Sequence, residues 1–396
     1  MKVEILRLDN FGKGIAYYNN KICFIDNAYP GEIIEFEISK ETSKYIEGKS
    51  INIIKKTKYR EESKCIYSKI CGGCTFQEYN YQEENKYKED KIKSLVERNL
   101  NLNKNIVKKI KYNQENNYRN KLVLHGNKNK LGLYKNKTNE IIDIDSCQIS
   151  NKKINTIIKI LKKIKNIEEV LIRTSNDEKE VIVEIENEIE NYEELEKEST
   201  VLIINGKVKT PKNKIITSIG NKKYYLSSNS FFQVNEYLTK ELFNQIKEYA
   251  INLKPHNVLD LYCGTGSFGI YISDIVDKVI GVDYNESNIN DALENNKLNK
   301  INNIEYICDK VENVIESFKD IDLVIVDPPR AGLDKKSIDN IIKISPKNII
   351  YISCNPNTLI RDLNILKKEY SIKEITPYNL FPKTYHCESI TLLERR

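Results

Sequence analysis

The chain has 396 residues, 40% of them hydrophobic and 30% charged, which is ordinary for a globular protein and long enough for two or three domains. No segment approaches the roughly 20 apolar residues that cross a membrane, and charges interrupt the first segment, so we expect neither a membrane span nor a signal peptide. We therefore expect a cytoplasmic protein, and separately we expect a monomer. The net charge of +6 does not by itself demonstrate a nucleic-acid partner.

Charge is unevenly distributed along the chain. Residues 101–170 hold 16 Lys and Arg against 6 Asp and Glu. Such a local excess is typical of a surface that contacts phosphates, and equally of a solvated lysine-rich surface.

The order of predicted elements divides the chain into three parts. Short runs of alternating apolar and polar residues over 1–57, separated by Gly and Pro, predict a small β-barrel. A cysteine-rich loop, a helix over about 79–100 and a further set of strands with one helix follow, to residue 225. From about residue 229, strands alternate with helices, which predicts a doubly wound parallel sheet.

Four cysteines form a candidate ligand set in the second part. Cys65, Cys71 and Cys74 lie in one loop, and Cys147 follows far downstream. Structural disulfides are not expected in a cytosolic protein. Zinc usually takes paired C-x2-C ligands, whereas a single C-x5-C-x2-C loop with one remote cysteine favours an iron–sulfur cluster. The spacing leaves both open.

A cofactor turn is predicted in the third part. The segment NVLDLYCGTGSFG combines a buried strand with a turn in which Gly264 and Gly266 allow close approach of a ligand. The next strand ends at Asp283, where an acid can accept hydrogen bonds from a ribose. One G-x-G with an acid about 20 residues later is the arrangement of class I methyltransferases, with a Rossmann dehydrogenase as the competing interpretation.

Two further strands end in chemically distinctive residues. The first runs into Asp327-Pro328-Pro329-Arg330, a rigid turn at the carboxyl edge of the sheet, where ligands bind in such folds. Methyltransferases that act on amino groups carry an aromatic residue after a similar Pro-Pro, and Arg330 argues against such a target. The second strand ends at Cys354, followed by a turn at Asn355-Pro356. This position is suited to a nucleophile, although a lone cysteine is more often a small buried apolar residue.

A nucleophilic cysteine, a cofactor turn and a general base together suit one reaction, methylation at carbon 5 of uracil. Methylation at carbon 5 of uracil requires a thiolate that adds to carbon 6, a sulfonium methyl donor, and a base that removes the hydrogen from carbon 5. Cys354, the turn around Gly264 and Asp283, and Glu388 before the last strand are the candidates for these three roles.

These motifs together resemble the RNA 5-methyluridine methyltransferase family over essentially the whole chain. The likeness rests on the segments SFFQVN, DLYCGTG, DPPRAGL, SCNP and FPKTYHCE. It implies that Cys354 is the nucleophile and Glu388 the base. It also implies S-adenosylmethionine contacts at four positions: Gln233, Tyr262, Asp283 and Asp327. The family usually has Glu where this chain has Asp283.

The resemblance extends to the first two parts of the chain. Residues 1–57 resemble a TRAM domain, an oligonucleotide-binding-like barrel that binds RNA. The large-subunit rRNA branch of the family carries a [4Fe-4S] cluster on the cysteine pattern described above. The resemblance also marks three candidate RNA contacts: Arg119, Lys121 and Phe231.

The resulting prediction has three domains: a TRAM barrel (1–57), an α+β iron–sulfur and RNA-binding domain (58–225), and a class I, Rossmann-like methyltransferase domain (226–396). The helix over about 79–100 is expected to pack on the catalytic domain. The predicted substrate is a uridine of large-subunit (23S) rRNA. Alternatives are a uridine in tRNA, an RNA cytidine, and a non-catalytic RNA-binding iron–sulfur protein.

Overall fold

The computed structural model describes residues 1–127 and 129–396. Three β-sheets and one isolated hairpin follow one another along the chain. No helix within these residues is both long and apolar enough to cross a membrane.

The first sheet is built from six strands. They are β1 (Lys2–Glu4), β2 (Arg7–Leu8), β3 (Gly14–Tyr18), β4 (Lys21–Asp26), β5 (Ile33–Glu41) and β6 (Tyr45–Lys55), in the order β1-β5-β6-β4-β3-β2. Neighbours are antiparallel except β4 and β6. Their inward side chains, among them Cys23, Ile34 and Phe36, enclose a separate core.

The predicted barrel is not closed. The two edge strands β1 and β2 are short, consecutive pieces of one segment, so they lie end to end rather than side by side. Within the described residues, no ladder of backbone hydrogen bonds joins them, and the sheet stays open at this seam.

The second sheet has seven strands and two helices. After α1 (Tyr81–Leu95) come β7 (Lys121–Gly126), β8 (Leu131–Tyr134), β9 (Ile141–Asp143), α2 (Lys152–Leu161), β10 (Glu169–Thr174), β11 (Val181–Ile185), α3 (Glu193–Glu198), β12 (Val201–Ile204) and β13 (Lys207–Val208). The strand order is β13-β12-β11-β10-β7-β8-β9. The hairpin β14 (Ile215–Ile219) and β15 (Lys222–Leu226) leads to the last part of the chain.

The third sheet alternates with helices, as the pattern predicts. Its elements are α4 (Glu236–Leu253), β16 (Asn257–Leu261), α5 (Ser267–Ile272), β17 (Lys278–Asp283), α6 (Glu286–Leu298), β18 (Ile304–Cys308), α7 (Val311–Val314), β19 (Leu323–Val326), α8 (Lys335–Ile344), β20 (Asn348–Ser353), α9 (Pro356–Leu366), β21 (Tyr370–Tyr378) and β22 (Glu388–Arg395). The order is β18-β17-β16-β19-β20-β22-β21. Strands β19 and β20 are buried throughout, because helices cover both faces of the sheet.

The strand order reverses between β16 and β19, which are parallel neighbours. Loops that leave the carboxyl ends of such strands run to opposite faces of the sheet and open a crevice between them. This crevice is where the sheet is expected to bind a ligand.

Helix α1 precedes the central sheet in sequence but packs on the catalytic sheet. The Asn80 side chain caps it by accepting hydrogen bonds from two backbone N–H groups of its first turn. A π-helical turn extends it to Leu100. Its apolar side chains, among them Ile92 and Val96, share one core with Leu359 of α9.

A buried ion pair fixes the same helix to the loop before β22. Lys88 is fully buried, and its Nζ donates to Glu84 Oε1 (2.7 Å), Asn379 Oδ1 (2.6 Å) and the Phe381 carbonyl (3.1 Å). Glu84 Oε1 also accepts the backbone N–H of Lys383 at 3.0 Å. The network joins α1 to the loop that carries the FPKTYHCE motif.

Substitution of Lys88 by methionine is expected to destabilise the protein by about 3–5 kcal/mol, because the Glu84 carboxylate then stays buried without a compensating charge. Thermal or urea unfolding measures the loss. The double variant Glu84→Gln/Lys88→Met should recover part of it. Lys93→Met, which breaks the more exposed pair with Glu89, should cost less than about 1 kcal/mol. Equal losses in Lys88→Met and Lys93→Met would contradict the assignment.

Candidate active site

A glycine turn follows β16 at the crevice. Three of its residues have positive φ: Tyr262 (59°), Gly264 (55°) and Gly266 (74°). Within the described residues, nothing beyond its two chain neighbours lies within 4 Å of the position that a Cβ on Gly264 would occupy, so a ligand can approach this backbone directly. Asp283, at the end of β17, accepts a hydrogen bond from the Gly264 N–H at 3.0 Å. The glycine turn and the acid at the end of the next strand, both predicted to bind the cofactor, are therefore in contact.

Buried polar atoms beside this turn lack partners. Asp260 Oδ2 accepts the N–H of Gly269 at 3.0 Å, but among the residues that the structure describes, none forms a hydrogen bond with its Oδ1 or with the hydroxyl of Thr265. Burial raises the pKa of Asp260 to about 7. Buried polar groups are normally satisfied in proteins, so unpaired acceptors at an open glycine turn fit a polar ligand such as S-adenosylmethionine.

Two other predicted cofactor contacts are Asp327, at the crevice, and Gln233, on the loop that leads into α4. Gln233 is buried on the loop before α4, where its carbonyl accepts a hydrogen bond from Asn120 Nδ2 at 3.2 Å. Asp327 follows β19, and desolvation in the crevice raises the pKa of its carboxyl to about 7.

The register of the sheet brings the predicted nucleophile and base together. Strands β20 and β22 are antiparallel, and Ser353 pairs with Ser389. The ladder ends at this pair, so Cys354, which follows Ser353, and Glu388, which precedes Ser389, lie at the same end of the two strands, and the Glu388 charge acts on the Cys354 thiol. Cys354 is half-buried at the rim, whereas Glu388 is buried and its Oε1 has no hydrogen-bond partner in the part of the chain that the structure describes.

The charges around this pair oppose ionisation of the thiol. Burial, followed by the carboxyl groups of Glu388 and Asp327, raises the pKa of Cys354 to about 12. Burial and the nearby Asp327 also raise the pKa of Glu388 well above its ordinary value. The Arg330 guanidinium acts in the opposite direction on both groups.

Arg330 is a further functional candidate, to which its place in the sequence assigned no role. The side chain is exposed, and its charge acts on both Cys354 and Glu388. Its carbonyl accepts hydrogen bonds from Asn355 Nδ2 (3.2 Å) and the Thr358 hydroxyl (3.3 Å), which ties the Pro-Pro turn to the start of α9. The available signal was its position, directly after the Pro-Pro turn.

The two residues before Glu388 lie in different environments: His386 packs against an aromatic ring near cations, and Cys387 lies in the apolar core. The His386 ring lies 4.2 Å from the Tyr385 ring, and burial together with nearby cations, Arg330 foremost, lowers the pKa of His386 to about 4. Its imidazole is therefore neutral at pH 7. Cys387 points into the apolar core and is fully buried, so it packs as a small apolar side chain.

Of the three predicted RNA contacts, Phe231 is exposed, whereas Lys121 and Arg119 donate hydrogen bonds to backbone carbonyls. Phe231 is 62% exposed on the loop before α4. The Lys121 ammonium instead donates to the Ser228 carbonyl at 3.1 Å, and burial lowers its pKa to about 8. Arg119 Nε donates to the Lys121 carbonyl at 2.8 Å. Lys121 thus helps to hold the Phe231 loop.

A buried arginine that the sequence did not reveal holds the same loop. Arg173 of β10 is 1% exposed and donates to the carbonyls of Ser227 (2.9 Å) and Ser230 (2.5 Å). The Ser230 hydroxyl donates to Asp291 Oδ2 at 2.7 Å. The central sheet and α6 together shape the approach to Phe231.

The predicted metal ligands line one cavity without forming a compact metal site. Cys65, Cys71, Cys74 and Cys147 surround a space of about 280 Å³, together with Arg119 and Lys121. None of the four thiols is in a disulfide. Within the residues that the structure describes, no group of three or more His, Cys, Asp or Glu side chains is placed to hold a metal ion.

The seven-stranded order, in which β22 runs opposite to the other strands, and the hydrogen bond between Gly264 and Asp283 define a class I S-adenosylmethionine-dependent methyltransferase. Residues 212–396 match the family model described as tRNA (Uracil-5-)-methyltransferase, and residues 1–51 match that of the TRAM domain. The chain belongs to the RNA uracil-5-methyltransferase family with a TRAM domain and is an S-adenosylmethionine-dependent enzyme.

Relatives match over nearly the full length. The chain is 33% identical to an RNA methyltransferase of Clostridium tetani, across 96% of this chain and 93% of the relative. It is also 33% identical to one of Clostridium acetobutylicum, across 98% and 95%. Both relatives are described as uncharacterized.

A solved structure resembles the whole chain. It is the Pyrococcus abyssi tRNA (uracil-54, C5)-methyltransferase in complex with S-adenosyl-L-homocysteine, with a TM-score of 0.81, 25% identity, and coverage of 99% of this chain and 100% of that one. The likeness therefore includes the TRAM and central parts as well as the catalytic sheet.

Proposed function

We propose that this enzyme methylates a uridine through a covalent adduct between Cys354 and carbon 6 of the base. The observation that carries the proposal is the β20–β22 pairing, which brings Cys354 and Glu388 to the same end of two adjacent strands, together with the action of the Glu388 charge on the Cys354 thiol. Addition of the thiolate to carbon 6 moves the ring electrons to oxygen 4 as an enolate. Bound S-adenosylmethionine supplies the methyl group that carbon 5 then takes.

Glu388 completes the reaction as the base. It removes the hydrogen from carbon 5, the enolate re-forms, and the bond between carbon 6 and the Cys354 sulfur breaks to release methylated RNA. The carboxyl is buried, and within the described residues no group donates to its Oε1, so this oxygen is open toward a bound base. Because burial and Asp327 raise its pKa, the carboxyl must first lose its own proton before it can act as the base. We assign to Arg330 the stabilisation of negative charge, on the Cys354 sulfur before addition and on the enolate after it.

The rate of covalent adduct formation should rise with pH. The pKa of Cys354 is raised, so below it the reactive thiolate fraction grows by about tenfold per pH unit. We expect that slope between about pH 6 and 8 when 5-fluorouridine RNA and S-adenosylmethionine are mixed with the enzyme and the adduct is quantified on denaturing gels. A pH-independent rate would mean that RNA binding has already ionised the thiol.

The cofactor is assigned to the crevice. Gly264 offers its open backbone, and Asp283 stands at the end of the neighbouring strand as the ribose acceptor. Gln233, Tyr262 and Asp327 are assigned the remaining contacts. The unpaired atoms of Asp260 and Thr265 extend this set beyond the residues expected from sequence.

The four cysteines are proposed to hold a [4Fe-4S] cluster in the mature enzyme. The donor set fits, because four free thiols line one cavity, and a sulfide-bridged cluster spans more space than a single ion. Burial raises the pKa of Cys74 to about 12, so metal binding must displace a proton there.

Anaerobic purification is therefore expected to yield about four iron atoms and four sulfides per chain, with broad visible absorption that disappears on exposure to air. Iron, acid-labile sulfide and zinc are measured together. Cys71→Ser should lose the cluster, and Cys23→Ser, a cysteine of the first sheet, should retain it. One zinc and no sulfide would overturn the cluster assignment.

The proposed substrate is large-subunit rRNA, supported by the resemblance of the cysteine pattern to that branch of the family. A tRNA uridine is the second candidate, favoured by the full-length likeness to the Pyrococcus abyssi enzyme. To test both, the enzyme is given methyl-labelled S-adenosylmethionine with unmodified large-subunit rRNA and with tRNA, and labelled nucleosides are identified. Label in 5-methyluridine from rRNA alone supports the proposal. Label from tRNA alone transfers it to the second candidate, and label in 5-methylcytidine overturns the uridine assignment.

A further inference from the structure

One loop of the TRAM sheet reaches the rim of the catalytic crevice. This loop, residues 9–13 between β2 and β3, places Asn10 Nδ2 3.2 Å from the side-chain oxygen of Asn357, three residues after Cys354. From α1, the Tyr87 hydroxyl donates to the Asp9 carbonyl and Lys91 Nζ donates to the Asn10 carbonyl, both at 2.7 Å. The N-terminal sheet thus contributes directly to the edge of the active site.

The loop is held in one conformation. Asp9 Oδ1 accepts the backbone N–H groups of Phe11 and Lys13, each at 2.8 Å. Gly12 has a φ of +81°, and a Cβ there would lie 2.6 Å from the Phe76 ring, so only glycine fits. A ligand that meets this loop encounters a preorganised surface and spends little entropy on ordering it.

The loop presents an aromatic ring to solvent at the crevice. Phe11 is 57% exposed, and its ring stands edge-on to Tyr385 with centroids 5.6 Å apart. Tyr385 is half-buried, and its ring lies against His386, two residues before Glu388. Lys91 Nζ lies 5.8 Å from the centre of the Tyr385 ring and adds positive charge. Isolated exposed apolar side chains are common on protein surfaces. Phe11 differs from them because it lies at the crevice rim on a loop held in one conformation.

We propose that Phe11, supported edge-on by Tyr385, forms a stacking platform for the nucleobase next to the target uridine. The inference rests on the proposed function, since a uridine must leave its stack to reach Cys354. Its neighbour then loses a stacking partner, and an aromatic face at the rim replaces it. Stacking of this kind accepts any base and suits single-stranded RNA.

The test measures binding without catalysis. Full-length Cys354→Ala protein is titrated into a short oligoadenylate with one central uridine and a fluorescent 2-aminopurine beside it. Stacking quenches the fluorophore. We expect Phe11→Ala in this background to lose most of the quenching and to bind roughly 5- to 100-fold more weakly. Phe11→Tyr should preserve both.

Matched variants separate stacking from folding. Phe11→Leu keeps an apolar contact with Tyr385, so its melting temperature should stay unchanged while quenching falls. Tyr17→Ala removes a TRAM aromatic that is 60% exposed on β3 and should leave quenching intact. Unchanged quenching in Phe11→Ala, or an equal loss in Tyr17→Ala, would overturn the proposal.

Kinetics distinguish this inference from the function on which it rests. With Cys354 restored, Phe11→Ala should raise KM for RNA and leave kcat nearly unchanged. If the wild-type chain forms 5-methyluridine and Phe11→Ala matches its KM and quenching, the stacking platform alone fails. If the wild-type chain forms no 5-methyluridine on any RNA, the proposed function fails, and the quenching result still decides whether Phe11 stacks on a base.

Discussion

Substitution of Cys354 by alanine is expected to abolish methyl transfer, with a loss of roughly a thousandfold or more, because carbon 5 of uracil is not nucleophilic until a thiolate has added to carbon 6. The covalent adduct with 5-fluorouridine RNA should disappear as well. Denaturing gels of enzyme mixed with labelled RNA measure the adduct, and nucleoside analysis measures the product.

Two controls make that result specific. Cys308→Ala removes an exposed thiol at the end of β18 in the same sheet and should keep the wild-type rate. S-adenosyl-L-homocysteine should bind Cys354→Ala and wild type with similar affinity, since the thiol is not among the proposed cofactor contacts. A Cys354→Ala protein that still formed the adduct would transfer the role of nucleophile to another residue.

Substitution of Glu388 by glutamine should have a different effect. Addition and methylation still occur, but no carboxylate removes the hydrogen from carbon 5, so methylated RNA remains attached to the protein. Multiple turnover is expected to fall by about 10²–10⁴-fold, the usual contribution of a positioned base. With methyl-labelled cofactor and natural uridine RNA, a labelled protein–RNA band should accumulate in Glu388→Gln and stay faint in wild type.

The matched control lies on the same strand. Glu394 of β22 is exposed and paired with Lys373, so Glu394→Gln should turn over at the wild-type rate without a trapped band. Slow turnover of Glu388→Gln without a trapped band would mean that Glu388 acts before or during methyl transfer rather than in the release step.

Arg330 and Glu388 act in opposite directions on the ionisation of the Cys354 thiol, a balance that the sequence motifs do not show. The Arg330 cation favours the thiolate and the carboxyl groups oppose it, so the resting thiol stays protonated until substrate changes the balance. A cysteine nucleophile whose pKa is raised is protected from oxidation and adventitious metals, because the thiolate is the reactive form. The same carboxyl that opposes ionisation at rest is the group assigned to remove the final proton.

Much of the catalytic domain could be predicted from local patterns. Apolar runs followed by Gly264, Asp283, Asp327 and Cys354 indicate strands whose carboxyl ends carry the chemistry, and parallel strands bring such ends to one edge. The methyltransferase class and the family follow from these motifs, and the comparisons confirm both. The substrate branch, the covalent adduct and the cluster stay predictions.

Other features depend on contacts between distant parts of the chain, which local patterns do not encode. The pairing of Ser353 with Ser389 brings Cys354 and Glu388 to the same end of adjacent strands, and a shift of one residue in register would turn the side chains of one strand to the other face. The open seam of the first sheet likewise depends on β1 and β2 lying end to end.

The sequence by itself determined the order of elements, the chemical groups available and the family, because strand periodicity, glycine turns and motif spacing are local properties of the chain. Only the tertiary structure decided that the Lys121 ammonium is turned toward a carbonyl instead of solvent, and that Phe11 reaches Tyr385 across hundreds of residues. Burial and long-range packing set those outcomes, since the same side chain is a surface contact or a structural anchor according to what folds over it.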